Sequence, residues 1–160
     1  MGEQQKEQLP MPEAVTHLLK ECRMVLPGIQ ALFGFQLIVV FNPGFEQKLQ
    51  RGEQLLHLSA IGLVGVAVAL VMAPAAYHRQ VGPQKVSQDF IGIASRLLLW
   101  SMFPLMLGIC FDFYLVSKII VHDAVTGLLL SVILLCVYYF LWFVVPRLES
   151  LRNTQSSPRR

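Results

Sequence analysis

Charge is missing from long stretches of this chain, and those gaps set its plan. No charged residue falls between Arg23 and Glu46, and none between Glu53 and Arg79. Residues 90–116 carry only Arg96 and Asp112, and residues 122–146 only Asp123. A helix of about 20 apolar residues crosses a hydrocarbon core of about 30 Å. The pattern therefore predicts four membrane-crossing helices, at about 25–42, 54–77, 90–116 and 122–146. Ahead of them, Ala14, Val15, Leu18, Leu19, Cys22, Val25 and Leu26 recur at helical spacing, with Glu13, Thr16, His17, Lys20 and Glu21 opposite. That reads as an amphipathic helix, too short and too charged to cross, lying along the membrane surface or docked on the bundle.

Proline and glycine punctuate the plan. Leu26-Pro27-Gly28 is expected to break the surface helix, Asn42-Pro43-Gly44 to end the first crossing, Gly82-Pro83 to turn the chain and Pro146 to stop the last crossing. Pro74 and Pro104 are expected to kink or end their helices. Tyr138, Tyr139, Trp142 and Phe143 read as an interfacial aromatic belt. The fold class is all-α: an integral membrane four-helix bundle with an N-terminal amphipathic interfacial helix. Residues 1–11 and 147–160 read as disordered, with one membrane domain over 12–146.

Composition agrees. The chain is 54% hydrophobic and 14% charged, with mean hydropathy +0.55, against about 25% charged residues in soluble domains. The net charge of +3 is small and scattered, which argues against nucleic acid as a partner. Cys22, Cys110 and Cys136 lie far apart in apolar runs, so they read as packing residues and not as a zinc or dithiol site. Residues 1–5 lack the basic start of a signal peptide. Four crossings put both termini on one side. Lys6, Lys20, Arg23, Arg79, Lys85, Arg147, Arg152, Arg159 and Arg160 fall on that side, against Lys48, Arg51 and Lys118 on the other. The positive-inside bias then predicts a multi-pass plasma-membrane protein with cytoplasmic termini.

Three pieces carry a resemblance: Leu18 to Phe35 (LLKECRMVLPGIQALFGF), Ala73-Pro74-Ala75-Ala76-Tyr77-His78-Arg79, and Arg96. Together they resemble an uncharacterised bacterial family of small four-span membrane proteins, over about residues 12–146. The resemblance implies this fold. Some relatives carry the name sodium:proton antiporter, so it also brings in cation/proton exchange.

Candidate chemistry is sparse. The chain has no P-loop, GxGxxG, GxSxG or HExxH pattern, so the expectation is a non-enzymatic protein without cofactor or metal. Glu21, Arg23, Tyr77, His78, Arg79 and Arg96 should share one depth. They form a rim in which Glu21 staples the surface helix to Arg79 or Arg96, or which binds a lipid phosphate or a partner. Gln30, Ala31 and Gly34 should face the bundle, and Gly65, Ala69 and Ala73 should mark the closest helix contact. Asp112 and Asp123 read as solvated end charges sharing Lys118, and as the ion-linked groups if the protein is a transporter. Gln36 and Ser101 are polar at depth but do not titrate. His57 and His122 could meet as haem ligands, though a lone interfacial histidine is more often a plain polar end residue. The reading this favours is association, as a homo-oligomer or an accessory subunit of a membrane protein. An oligomeric cation/proton antiporter is the alternative.

Overall fold

A computed structural model describes residues 11–81 and 88–148. Its elements are α1 (Met11–Val40), α2 (Gly44–Lys48), α3 (Arg51–Val81), α4 (Gln88–Val121), α5 (Ala124–Tyr139) and a π-helical turn, Phe140–Val144, with helix resuming over 145–148. The described residues are all-helical. Four helical segments are long and apolar enough to cross a membrane: Lys20–Val40, Arg51–Tyr77, Ile91–Val121 and Ala124–Leu148. At 1.5 Å per residue, the 34 residues of α4 extend about 51 Å, well beyond a hydrocarbon slab.

The predicted break at Leu26-Pro27-Gly28 does not occur. α1 continues through Pro27 for 30 residues, so the amphipathic segment and the first crossing are one rod. Pro27 costs the Arg23 carbonyl its usual helical donor. Apolar helices tolerate such a loss, and the chain needs no turn there. Likewise Pro74 and Pro104 lie inside α3 and α4, and helix persists past Pro146 to Leu148. The terminal segments 1–10 and 149–160, the Gly82-Pro83 turn, and the side chains of Ala14, Val15, Leu18 and Leu19 lie outside the described residues.

α3 and α4 form the central antiparallel pair. Ala60, Val64, Ala67 and Val71 face inward from α3, each at most 2% exposed. Ala94, Ser101, Gly108 and Leu115, one every seven residues, are the buried line of α4. A seven-residue repeat of inward positions suits two helices crossing at a shallow angle. At Gly108 α4 lies close on α3: a Cβ there would stand 2.9 Å from Val64 Cγ2 and 3.0 Å from the Ala60 carbonyl oxygen. This line replaces the stripe predicted at Gly65, Ala69 and Ala73. Ala69 is exposed, Ala73 half-buried, and Gly65 faces Phe33 of α1.

α1 packs chiefly on α3, and α5 on α4, so the outer helices flank the central pair. The inward face of α1 is Cys22, Leu26, Ile29, Phe33 and Gln36, not the expected Gln30/Ala31/Gly34 face. Gln30 and Ala31 are exposed and Gly34 half-buried. α5 is held by Ser131, whose hydroxyl donates to the Cys110 carbonyl at 2.7 Å. The link from α4 to α5 is only His122-Asp123. His122 sits at φ 60, and Gly127 lies so near α4 that a Cβ would be 3.1 Å from the Lys118 nitrogen. The π-helical turn accompanies burial of Phe143, which stacks on Phe103 at 4.3 Å. Part of the predicted aromatic belt is therefore core.

Candidate functional site

Three polar side chains from three helices meet near the end of the molecule where α1 joins α3. Gln36 lies one turn before the end of α1, His57 lies in the second turn of α3, and Asp112 lies on α4. The hairpin through α2 brings Gln36 and His57 to one depth, and antiparallel α4 brings Asp112 beside them. Asp112 stands nine residues before Val121, about 13 Å along the helix. It lies slightly nearer the middle of α4 than that end, and it is held among helices.

The geometry is close. Gln36 Nε2 donates to Asp112 Oδ2 at 2.6 Å. His57 Nδ1 lies 2.8 Å from Asp112 Oδ1, and His57 Nε2 lies 3.0 Å from the Gln36 carbonyl oxygen. Gln36 and His57 are 3% and 5% exposed. Phe45 of α2 covers the imidazole, with ring centres 5.4 Å apart. Gln36 Oε1 is buried with no partner among the described residues, and Gln36 belongs to the wall of a cavity of about 180 Å³ that His57, Asp112, Leu49 and Ile119 also line.

These contacts bear on where the hydrogens sit. A carbonyl oxygen only accepts, so His57 Nε2 carries a hydrogen. Nδ1 and Asp112 Oδ1, at 2.8 Å, need a further hydrogen between them. That proton is present whether the pair is written as imidazolium with carboxylate or as imidazole with carboxylic acid, and the pair is neutral overall either way. The tautomer follows from the partners in the network. Loss of the proton would set two lone pairs against each other and leave a net negative charge in an apolar setting, where unpaired charge is expensive.

Asp112 is therefore not the solvated end charge expected from the sequence, and Lys118 is not its partner. Lys118 forms an ion pair with Glu53, whose other oxygen accepts from the Gln50 backbone N–H at 2.8 Å. This pair borders a second cavity of about 380 Å³ lined by Lys48, Leu49, Glu53, Lys118, Ile119 and His122. Leu49 and Ile119 line both cavities. Asp123 has a local role as the N-cap of α5, accepting from the Thr126 N–H at 2.8 Å and the Thr126 hydroxyl at 2.5 Å. The Thr126 hydroxyl, and then its N–H, hold the Asp123 carboxyl below the usual aspartate range. Both ring nitrogens of His57 are engaged, so the arrangement does not offer it as a haem ligand.

The opposite end carries the predicted rim. Glu21, Arg23, Arg79 and Arg96 are all exposed, and no ion pair among the described residues joins Glu21 to either Arg79 or Arg96, so the predicted staple is not formed. Tyr77 is exposed at this end, and the His78 side chain lies outside the described residues. Arg23 and Arg79 do meet at one place. Both border a groove of about 610 Å³ between α1 and α3.

Sequence reasoning noticed Gln36, His57 and Asp112 separately and missed their meeting. Depth along each helix was readable, but which faces turn toward one another was not.

Among the described residues, the all-helical architecture with four helices long and apolar enough to cross a membrane is, by length and composition, that of a multi-pass membrane protein. The chain belongs to a family of unknown function, DUF6328, which matches residues 3–146. No curated protein and no solved structure matches it.

Proposed function

We propose that this is a proton-linked integral membrane protein, with the His57–Asp112 pair as the group that takes up and gives back the proton. The fitting activity is exchange of a proton for a monovalent cation. One observation carries the reading: a buried imidazole–carboxylate contact at 2.8 Å whose other nitrogen is committed to a carbonyl. With one hydrogen on Nε2 and another between Nδ1 and Oδ1, such a contact has a place for one exchangeable proton. Replacement by a cation would restore neutrality. Asp112 and the unpartnered Gln36 Oε1 supply oxygens of the kind that bind hard cations. An ionisable pair inside an apolar helix assembly is expensive to retain without a use. The cavity bordered by Glu53, Lys118 and His122 offers an approach, with Leu49 and Ile119 lining both it and the cavity beside the pair.

The test is purified protein in liposomes with a pH-sensitive dye inside. A sodium or potassium gradient should move the internal pH, and Asp112→Asn or His57→Gln should abolish the movement. A wild-type protein that moves no protons under any alkali-cation gradient would defeat the reading.

Association is the second reading, favoured by one observation. Gln30 is exposed in a spanning helix and has no hydrogen bond within the described chain. An amide facing lipid gains from a partner helix. A homo-oligomer or membrane-protein partner at the Gln30/Ala31 face is compatible with proton linkage. Gln30→Leu would then lower the mass of the complex in mild detergent, and an unchanged mass would remove this reading.

A further inference from the structure

We propose that the groove between α1 and α3 binds an anionic phospholipid, its acyl chain against the apolar floor and its phosphate between Arg23 and Arg79. The floor is Cys22, Leu26, Val71, Met72, Ala75 and Ala76. Arg23, Arg79 and Gln80 also line it, and among the described residues no carboxylate does. Neither arginine has an ion pair within the described residues, although Glu21 is near in sequence to Arg23. Both arginines lie at an edge of the apolar segments: Arg23 near the start of Lys20–Val40, Arg79 just past Arg51–Tyr77. That is headgroup level for a spanning protein. Guanidinium forks match phosphate oxygens, and Gln80 adds an amide donor.

The groove is too apolar for a free anion to fill, and its mouth too cationic for a neutral lipid to satisfy. One molecule with an oily tail and a phosphate meets both demands. This inference rests on the membrane reading but not on the His57–Asp112 proton, so either can fail alone.

The experiment is native mass spectrometry of delipidated full-length protein, with phosphatidylglycerol and phosphatidylcholine of identical chains added back. Two arginines near a bilayer surface predict a preference for phosphatidylglycerol of roughly ten- to thirty-fold. Arg23→Gln with Arg79→Gln should remove the preference, Arg147→Gln should keep it, and Ala76→Trp should weaken both lipids by filling the groove. If the double variant folds poorly, Arg79→Gln alone should lose part of the preference. Equal binding of both lipids by the wild type overturns the proposal. So does a double variant with full preference, or displacement of the lipid by glycerol phosphate at equal concentration, which would mark a soluble-phosphate site.

Discussion

The two ends of this helical assembly treat charge in opposite ways. At the His57 end, polar groups are answered from within: Asp112 by His57 and Gln36, Glu53 by Lys118, Asp123 by Thr126. At the Arg79 end, Arg23, Arg79 and Arg96 are exposed and joined to no carboxylate of the described chain. The first arrangement ties α1, α3 and α4 together and is the one to which the proposed function assigns the proton. The second leaves cations turned outward beside an apolar groove. Polar residues at the first end should therefore matter for internal chemistry and stability, and those at the second for what the protein meets.

Substitutions can break this contrast. The largest effect is expected for Asp112→Asn in the liposome assay, where ion-driven proton movement should fall at least tenfold while Arg79→Gln leaves it within twofold. Comparable losses from both would erase the distinction. Next in size is Gly108→Leu, which forces a side chain into a tight part of the α3–α4 contact. It should cost about 1–3 kcal/mol or more and lower the unfolding temperature in detergent, whereas Gly62→Leu, with open space around it, should not.

Asp112→Ala leaves His57 Nδ1 and Gln36 Nε2 without a partner and should cost about 1–3 kcal/mol. Arg23→Ala should cost almost nothing by the same thermal measurement. The smallest effect concerns Asp123. Its carboxyl is held below the usual range, so its stabilisation of α5 is fully present above the ordinary aspartate pKa and is lost as pH falls through the lowered folded value. Wild-type unfolding temperature should therefore drop on acidification. Asp123→Ala should be less stable near neutrality and show less of that drop. Equal acid sensitivity in the two would show that the cap does not contribute.

Three of the four long helices were legible because twenty or more consecutive residues without charge suit a helix in lipid and few structures in water, and α4 because only Arg96 and Asp112 interrupt its apolar run over 90–116. The seven-residue line of Ala94, Ser101, Gly108 and Leu115 was equally present in the sequence. It was hidden because Gly65, Ala69 and Ala73 offered a more conspicuous set of small residues, and composition does not tell a face toward a neighbour from a face toward lipid. Pro27-Gly28 misled for a related reason: a local breaker signal loses to the continuity of an apolar rod that needs no turn. Gln36, His57 and Asp112 were each assigned a depth, yet only packing across three helices shows that their side chains meet. Arg23 and Arg79 border one groove while Glu21 pairs with neither Arg79 nor Arg96, and no pairing could be read from depth alone.

The central claim is that His57 and Asp112 hold one exchangeable proton between them. Its most direct test is proton release from the detergent-solubilised protein in weak buffer, followed with a pH dye as sodium, lithium or potassium chloride is added. The account predicts release of about one proton per chain at saturation by at least one of these cations, and none from Asp112→Asn. Release that persists undiminished in Asp112→Asn, or a wild-type protein that releases none with any of the three salts, would contradict it.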